Sequence, residues 1–499
     1  MFVDWLMILG TTSWLLALSF AVAFYFWLTT KKDVPKLPPT PGISLPYLGH
    51  LYLLQKNPRQ QFLRFAKTLG PVFRLQMGNF TVIVLNTYDV LTEALVKQAD
   101  FFSHRPKIDL LVQHFPHMLD GIIMSSGPNW KQQRTTSLAI LRSFGMGKNI
   151  LAEKISEEVS AYVKELTKSK GKPTNIKTLT NMSVSNVICS IIFGHRFEIT
   201  DPTFLNMIHL FDKMVEQGSG ANAFIVLPIL RYIPFDPFGF RKFGSVLNRI
   251  RTTVSKIVGS VRNNGDKDNF IAAYVEEMKK AEHLGESTYL DEANLLGCIE
   301  NLFVAGTETT STTILCSLLY VLHNPKTQVK IFSEIMEHIG TDRVPNIQDK
   351  PRLKYLNAFI MEIQRITSLV PFSAPHMCCE DTILMGFNIQ KGTQILINLD
   401  SVLRDEKIWG DPENFRPERF LDEQGNLIKR EELIPFSMGR RICLGESLAK
   451  MELFLFLSSM FQRFEFLPVD QDHLPTLKEI LGGTAAPVPY EIRCVTRNI

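Results

Sequence analysis

The clearest chemical signal in this chain is a stretch around one cysteine, Phe436-Ser-Met-Gly-Arg-Arg-Ile-Cys-Leu-Gly445. The pattern Phe-x-x-Gly-x-Arg-x-Cys-x-Gly places Cys443 in a loop directly before an apolar helical pattern. With average residue usage, the expected number of chance matches in a chain this long is about one in ten thousand. A bound metal, backbone N–H groups and the start of the following helix would all hold the Cys443 thiol deprotonated. A motif this specific argues against an inert buried cysteine, which is the usual interpretation of a lone Cys.

A second polar cluster, Ala305-Gly-Thr-Glu-Thr-Thr310, interrupts the longest helical pattern of the chain. Its small residues would let a flat ligand approach the helix backbone. The Thr309 hydroxyl can donate to the carbonyl of Ala305, four residues earlier, and such a bond bends a helix locally. Glu308 and Thr309 would then form an acid–alcohol pair able to relay protons. A simple local kink is the alternative interpretation.

Two further patterns place charged or donor groups on one helix face. Trp130 and Arg134 stand four residues apart, and their indole and guanidinium N–H groups suit a carboxylate ligand. Glu362 and Arg365 stand three residues apart and can form an ion pair. An exposed pair of this kind contributes well under about 1 kcal/mol, so its value depends on burial.

Together, and in this order, these motifs resemble those of the cytochrome P450 monooxygenases, and the resemblance extends along the whole chain. Ser126-Gly-Pro-Asn-Trp130, Arg142-Ser-Phe-Gly-Met-Gly-Lys148 and Phe415-Arg-Pro-Glu-Arg-Phe-Leu-Asp422 resemble the microsomal, family-2-like members in particular. The resemblance implies a mainly α fold. A large helical domain with a small β-rich lobe would stand behind one N-terminal transmembrane helix.

The resemblance implies that Cys443 is the axial thiolate ligand of a haem b iron, because thiolate donation favours O–O cleavage. Phe436, Gly439 and Gly445 would shape the ligand loop, and both glycines would allow positive φ and a close approach to the macrocycle. Ala305 would lie against the haem on the side of the central helix.

The resemblance also implies a clamp for the two haem propionates, which would be costly to bury without partners. Trp130, Arg134 and Arg441 are its expected members, with Arg105 and His376. The alternative interpretation of Arg105 is a surface salt bridge. The alternative for His376 is a loop histidine whose hydrogen bonds are satisfied locally.

The remaining implied roles concern catalysis, the fold and the substrate pocket. Glu308 and Thr309 would deliver protons, while Arg419 would join Glu362 and Arg365 in a buried network that supports haem retention. The substrate positions of the family, for which core packing is the alternative, fall on Ile123, Met124, Asn301, Val304, Phe372 and Ala486.

The implied function is haem-thiolate monooxygenation, in which one oxygen atom of O₂ enters a lipophilic small molecule by hydroxylation or epoxidation. NADPH would supply electrons through NADPH-cytochrome P450 reductase, with cytochrome b5 as a further candidate partner. Arg142, Lys148 and Arg440 are candidates for the basic docking face. A haem-thiolate isomerase or dehydratase, and a non-catalytic haem- or ligand-binding membrane protein, are the alternatives. The Glu308–Thr309 pair argues against both.

The composition excludes other classes of protein. The 499 residues carry a formal net charge of +4 and no long Lys/Arg block, so no nucleic-acid partner is expected. The seven cysteines are irregularly spaced and include no C-x-x-C, which argues against a disulfide framework and a zinc site. Gly218-Ser-Gly-Ala-Asn-Ala223 imitates a dinucleotide fingerprint but follows a helical pattern, so we predict a loop there. NADPH is therefore expected to bind a partner.

The N-terminal region predicts attachment to the endoplasmic reticulum membrane. Trp5 to Thr30 carries no charge and is long enough to span a bilayer, which predicts a transmembrane signal anchor over residues 1–30. Lys31 and Lys32 follow it, so the bulk of the protein is expected on the cytosolic side. Clustered prolines predict a stiff hinge over residues 31–49, and residues 50–499 form the expected catalytic domain. The alternative to the anchor is a buried core helix, and the alternative to the stiff hinge is a disordered linker.

Hydrophobic periodicity predicts the elements that position these residues. Alternation predicts a hairpin between Gly70 and Thr87 and short strands within Ile383–Ile397 and Tyr490–Val495. Apolar spacing of three and four predicts helices over Leu151–Lys168, Pro202–Gln217, Phe240–Arg262, Asn269–Glu282, Glu292–Leu322 and Lys326–Ile339.

Overall fold

The computed structural model describes Ser19 and residues 36–54, 58–146, 149–285 and 287–498. Most of these residues are helical, so the mainly α prediction is confirmed. The anchor predicted over residues 1–30 lies outside the described residues apart from Ser19. The α-helices are α1 (Pro58–Leu69), α2 (Tyr88–Thr92), α3 (Ala99–Phe102), α4 (Asp109–His114), α5 (Gly127–Ser143), α6 (Asn149–Thr167), α7 (Lys177–Ile192), α8 (Pro202–Val226), α9 (Phe240–Asn263), α10 (Phe270–His283), α11 (Glu292–His323), α12 (Pro325–His338), α13 (Lys354–Thr367), α14 (Leu399–Leu403), α15 (Glu406–Trp409) and α16 (Glu446–Arg463).

The strands are short and form a small lobe and several minor sheets, as the sequence predicts. The largest sheet has the order β1-β2-β7-β4, with β1 antiparallel to β2 and β2 parallel to β7. The strands are β1 (Val72–Met77), β2 (Phe80–Leu85), β3 (Pro173–Thr174), β4 (His376–Met377), β5 (Thr382–Leu384), β6 (Phe387–Ile389), β7 (Gln394–Ile397), β8 (Phe464–Pro468), β9 (Glu479–Leu481), β10 (Ala485–Pro487) and β11 (Ile492–Thr496).

Helix α11 is the central element of the helical domain. Asp291 caps its N-terminus, because the side chain accepts a hydrogen bond from the backbone N–H of Asn294. Its flanks pack against α7, α9, α13 and α16, and most of its apolar residues are buried in the main core. Each fully buried leucine or isoleucine there contributes about 1.5–3 kcal/mol. Among the described residues α11 alone is long and apolar enough to cross a membrane, and most of its apolar part is buried as in a core helix.

The largest difference from the predicted elements is in α8. Residues 218–223, predicted as a loop, continue the helix from Pro202 to Val226, so that prediction is wrong. Two glycines in a helix cost about 1 kcal/mol each. Phe211 and Phe224 on either side are buried in the core, and tertiary packing of this kind overrides weak local propensity.

The described part of the proline-rich segment, residues 36–49, lies against the small lobe. The backbone N–H of Arg74 donates to the carbonyl of Pro39, 2.8 Å away, and that of Asn388 donates to the carbonyl of Lys36, 2.9 Å away. These bonds fix the path of the chain as it enters the helical domain.

Candidate active site

The cysteine loop runs from Phe436 directly into α16. The backbone N–H of Cys443 donates to the carbonyl of Phe436 over 3.0 Å and closes the loop on itself. Gly445 is the N-cap residue of α16, so the thiol stands just before the N-terminus of an 18-residue helix. The positive end of the helix dipole favours a negative charge at this place.

The two glycines of the loop have different roles from those expected. Gly439 has φ of +74°, but a Cβ there would collide with the carbonyl of Leu95, so the close approach is to protein backbone. Gly445 has φ of −88°, and the expectation of positive φ there is wrong because the residue already turns into α16. No protein atom lies within 4 Å of a Cβ built on Gly445, so its missing side chain leaves open space.

The Cys443 thiol faces a cavity rather than the packed core. The residue is exposed toward this space, while surrounding protein still removes water from it. This burial raises the pKa of the thiol, and a hydrogen bond from the backbone of Gly445 and the charge of Arg134 lower it in part. The protein surroundings alone therefore disfavour the thiolate. A bound cation would shift the balance toward ionisation.

The cavity has a volume of about 360 Å³ and lies between α5, α7, α11, α13 and the cysteine loop. Thr309 and Cys443 both line it. Its other walls are largely apolar. They include Ile122, Ile188, Ile191, Leu302, Val370 and Leu448.

Three arginines and a tryptophan form one wall of this cavity, which we call the cationic wall: Arg105, Trp130, Arg134 and Arg441. The Arg441 guanidinium lies over the Trp130 ring, 3.9 Å from its centroid. Carbonyl oxygens accept from these arginines, but no carboxylate among the described residues pairs with any of them. The buried indole Nε1 of Trp130 has no hydrogen-bond partner in the described part of the chain.

The electrostatics of the cationic wall favour an anionic ligand. Burial, reinforced by Arg105 and Arg134, lowers the pKa of Arg441 to about 8. Burial and Arg134 likewise lower the pKa of Arg105 to about 10. Buried cations without counter-charges are costly. A ligand that carries two carboxylates would pair these guanidinium groups and give the Trp130 N–H an acceptor.

His376, the other expected member of the clamp, is buried in β4 but is not among the residues that line the cavity. Its Nδ1 lies 2.6 Å from the carbonyl oxygen of Phe102. Burial and the charge of Arg105 lower its pKa to about 3, so the ring is neutral. With Nδ1–H donating to Phe102, Nε2 can only accept a hydrogen bond.

Thr309 makes the bond that its spacing predicts. Its Oγ1 donates to the carbonyl oxygen of Ala305 over 2.7 Å, and both residues line the cavity. A Cβ on Gly306 would lie 2.6 Å from the Ile188 side chain, so the small residue there lets α7 and α11 pack closely. The helix wall therefore presents a hydroxyl to the cavity.

The carboxyl group of Glu308 faces away from the cavity. Its Oε1 accepts hydrogen bonds from the hydroxyls of Thr312 and Thr484, at 3.3 and 3.2 Å. Burial raises its pKa, and Lys177 lowers it in part. The described contacts include no hydrogen bond between Glu308 and the Thr309 hydroxyl, so the acid and the alcohol are neighbours in sequence but face different surroundings.

The structure brings together the three expected members of the Glu-x-x-Arg network. Glu362 and Arg365 are fully buried, with 2.7 Å between Oε2 and Nε. Arg419 lies 3.0 Å from the same carboxylate, which also accepts from the backbone N–H of Arg416. Each oxygen is satisfied, which is the condition under which a buried ion pair is tolerated. The network joins α13 to the segment that leads to the cysteine loop.

The expected substrate positions divide into two groups. Ile123 and Asn301 line the cavity, and Asn301 Oδ1 accepts from the backbone N–H groups of Ile122 and Ile123. The amide of Asn301 therefore holds the loop before α5 against α11. The other four expected residues do not line the cavity: Met124, Val304, Phe372 and Ala486. The Phe372 ring instead packs against the Phe62 ring, with 5.0 Å between their centroids, and Ala486 pairs with Ile480 in the β9–β10 hairpin.

Of the candidates for the docking face, Arg142 and Arg440 are exposed and Lys148 lies outside the described residues. Arg440 forms an ion pair with Asp100. Its side chain is about half exposed, so this pair is largely screened by solvent.

Comparison with known families decides what this constellation is. The family model described as Cytochrome P450 matches residues 38–493. The chain belongs to the cytochrome P450 family. It is 39% identical to human cytochrome P450 2U1 over 87% of this chain and 80% of that protein. It is 37% identical to rat cytochrome P450 2J3, over 96% and 95% of the two chains, and 37% identical to rat cytochrome P450 2C23, over 98% and 100%.

Family membership establishes the reaction class. The chain is a haem-thiolate P450 monooxygenase of the family-2 type, which binds haem b and uses O₂ and electrons derived from NADPH. An isomerase or a non-catalytic haem protein is not favoured by these relatives. Electron transfer from NADPH requires a redox partner, and the substrates are lipophilic.

The residues present fit the haem that this P450 family binds. The cationic wall supplies donors for two propionates, Cys443 supplies a thiol, and the space beside Gly445 can admit a flat ring.

One polar residue that lines this P450 cavity is absent from the sequence-based expectations. Glu452 in α16 lines it, is only 1% exposed, and receives a hydrogen bond from Thr310. The sequence signal was a single carboxylate in the otherwise apolar stretch Met451-Glu-Leu-Phe-Leu-Phe456.

Proposed function

We propose that this P450 oxygenates lipophilic small molecules in the cavity beneath α11, where the Cys443 thiolate would hold the haem iron. The observation that supports this proposal most directly is that Cys443, Thr309 and the cationic wall all line one cavity. A cysteine that only packed in the core would not require three guanidinium groups without counter-charges. The thiol and the unpaired cations together favour a ligand that is both a metal complex and a dicarboxylate.

When bound, the haem supplies the activation of dioxygen that side chains cannot provide. The chain's own residues hold it in place. The guanidinium groups of Arg105, Arg134 and Arg441, with the Trp130 N–H, pair with the propionates. This pairing restores the counter-charge that Arg441 lacks. His376 is the least supported member of the clamp, because its Nδ1 is already bonded to Phe102.

Thr309 and Glu308 manage protons in this proposal. The Thr309 hydroxyl, held by Ala305, stands at the cavity wall and can pass a proton onward by rotating. Glu308 lies behind it and must change rotamer to exchange a proton with Thr309, because its carboxyl now contacts Thr312 and Thr484. A raised pKa keeps Glu308 able to carry a proton nearer neutral pH.

The substrate class follows from the walls of the cavity. Isoleucine, leucine and valine side chains dominate the part away from the cationic wall, and they favour apolar molecules that lose water on binding. Hydroxylation and epoxidation are both compatible with such a site.

We propose NADPH-cytochrome P450 reductase as the electron donor and cytochrome b5 as a second partner. Arg142 and Arg440 are exposed, and Arg440 lies in the cysteine loop itself; both are candidates for a basic docking face. We further propose that residues 1–30 anchor the protein in the endoplasmic reticulum membrane and that residues 31–49 form a hinge. Residues 50–499 would form the catalytic domain on the cytosolic side.

The test uses membranes that carry the full chain together with the reductase, supplied with NADPH and a panel of lipophilic compounds. Mass spectrometry would detect products that gain one oxygen atom. Labelled dioxygen must transfer its label to the product, and omission of NADPH must abolish the gain. Full haem loading with no labelled product from any compound of a broad panel would contradict the proposal.

A further inference from the structure

Helix α9 carries a one-sided set of charges. Its 24 residues, Phe240–Asn263, include six arginines and lysines and neither aspartate nor glutamate. Two of the six are paired with neighbouring elements, since Arg251 lies 2.9 Å from Asp120 and Arg262 lies 2.7 Å from Glu292. The other four form no ion pair within the described part of the chain: Arg241, Lys242, Arg249 and Lys256.

The first turn of α9 is a poor place for a cation. Arg241 and Lys242 lie at the positive end of the helix dipole, where a basic side chain is unfavourable. The Asp236 carboxylate accepts from the backbone N–H groups of both residues, each over 3.1 Å, so it caps the helix terminus. The stability of the helix therefore does not explain these two charges.

A groove of about 690 Å³ follows the exposed face of α9. His114 and Phe115, at the end of α4, also line it. A Cβ on Gly244 would lie 2.5 Å from the Phe115 ring, so the glycine lets the two elements close against each other. No carboxylate from the described residues lines the groove, whose α9 side consists of cations and neutral polar groups: Arg241, Ser245, Asn248, Arg249, Thr252 and Lys256.

The spacing of the three cations in this groove indicates the kind of anion that fits it. Arg249 follows Arg241 by eight residues and Lys256 follows Arg249 by seven, which separates them by about 12 and 10 Å along the helix. A single phosphate group can contact one of these side chains, or two that reach toward each other. A surface that presents several phosphates in a row can contact all three.

The segment directly before α9 exposes large apolar side chains. Ile229, Tyr232 and Phe235 are 73%, 70% and 96% exposed. The Arg231 guanidinium lies over the Tyr232 ring, and its Nη1 is 3.5 Å from His114 Nε2, so this segment borders the groove. Apolar side chains beside a row of cations are expected of a surface that lies on an anionic bilayer. A nucleic acid would leave the apolar side chains uncovered.

We propose that the groove along α9 binds the headgroups of anionic phospholipids, so that the protein selects bilayers that contain phosphatidylserine. This surface is independent of the oxygenation chemistry. It also differs from the anchor proposed over residues 1–30, because an apolar helix gives no selectivity for headgroup charge. Each lysine or arginine near an anionic bilayer contributes about fivefold to binding. Three such cations give a strong preference for anionic over neutral lipid.

The test uses the full-length, haem-loaded protein in lipid discs made from equal parts of phosphatidylserine and phosphatidylcholine. After extraction in a neutral detergent, mass spectrometry counts each phospholipid retained per haem. The wild type should retain at least about fivefold more phosphatidylserine than phosphatidylcholine, which is the contribution of one cation. The variant Arg241→Gln/Arg249→Gln/Lys256→Gln should retain the two lipids almost equally. Retention like that of the wild type in this variant would overturn the proposal.

A control variant removes the same net charge elsewhere. Lys164, Lys326 and Lys391 are exposed, form no ion pair in the described structure, and lie in α6, in α12 and before β7. The variant Lys164→Gln/Lys326→Gln/Lys391→Gln should keep the preference of the wild type. Loss of the preference here would show that net charge rather than the groove selects the lipid, which would also overturn the proposal.

Two measurements on the wild type need no variant. Salt at about 1 M shortens the Debye length to about 3 Å and should abolish the preference for phosphatidylserine, whereas a preference that persists would contradict a charged headgroup surface. Inorganic phosphate at the concentration of the lipid phosphate should leave the preference unchanged, because one anion cannot span three cations. Full displacement by inorganic phosphate would show an isolated anion site, and full displacement by a duplex oligonucleotide of equal phosphate concentration would assign the surface to nucleic acid.

Discussion

Arg134 Nη2 lies 2.6 Å from the carbonyl oxygen of Ile442, the residue directly before Cys443. This contact ties α5 to the cysteine loop, so one arginine both positions the loop and contributes charge to the cationic wall. Arg441, the residue that precedes Ile442 in the chain, donates to the carbonyl oxygens of Ser103 and Ser125, at 2.9 and 2.7 Å. The loop is therefore held in place by the same groups that are expected to bind the propionates.

The first prediction concerns haem retention. Arg441→Ala removes charge-assisted bonds of about 1.5–3 kcal/mol each, so haem affinity should fall about 10–100-fold. Arg440→Ala is the matched control, because Arg440 is the exposed neighbour and pairs only with Asp100 in the described structure. Haem content per chain after purification measures both. Equal haem content in the two variants would contradict the clamp.

The second prediction concerns coupling. Thr309→Ala should continue to consume NADPH, while product per NADPH falls about tenfold and peroxide rises, because the hydroxyl at the cavity wall is lost. Ser317→Ala is the control, since Ser317 makes the same kind of backbone bond in α11, to Thr313 over 2.8 Å, but does not line the cavity. Wild-type coupling in Thr309→Ala would remove this residue from its proposed role.

The third prediction concerns the Glu362 network. Glu362→Gln leaves the buried Arg365 without a counter-charge and removes one of the two carboxylates that pair with Arg419, so it should destabilise the fold by about 3–5 kcal/mol. Glu406→Gln disrupts only the exposed pair with Lys67 and should cost less than about 1 kcal/mol. Thermal unfolding of both variants gives the comparison. Similar unfolding midpoints would show that the network contributes little to stability.

The fourth prediction concerns pH. Burial raises the pKa of Glu300 from 4.5 to about 7, and Arg251 at 3.4 Å offsets this only in part. The folded chain then binds this proton more tightly than the unfolded chain, so its contribution to stability is full below about pH 4.5 and is lost as pH rises toward 7. Relative to Glu300→Gln, the wild type should lose roughly 2–3 kcal/mol across this interval. Parallel stability profiles for the two proteins would be inconsistent with the raised pKa.

Much of the site could be predicted because its chemistry is local in sequence. The cysteine loop is contiguous, and the Thr309–Ala305 bond and the Glu362–Arg365 pair each span one helical turn. Helical spacing alone brings such groups together. The hairpin of β1 and β2 was predictable for the same reason, since alternation over two short runs defines its buried face.

The features that the sequence did not predict depend on distant contacts. Thr310 and Glu452 are 142 residues apart, and their bond exists because α11 packs on α16. The direction of Glu308 depends on Thr484, which the C-terminal hairpin brings to α11. Phe372 packs with Phe62 in the small lobe, although its place after α13 suggested the pocket. None of these outcomes can be read from periodicity or local propensity.

The central claim is that the Cys443 thiolate ligates the haem iron, and the spectrum of the reduced, carbon-monoxide-bound protein tests it most directly. The wild type should show the strongly red-shifted Soret band of a thiolate-ligated haem, and Cys443→Ser should lose it together with oxygenation. Cys379→Ser, which changes another partly exposed cysteine, should keep the band. An unaltered thiolate-type band in Cys443→Ser would contradict the account.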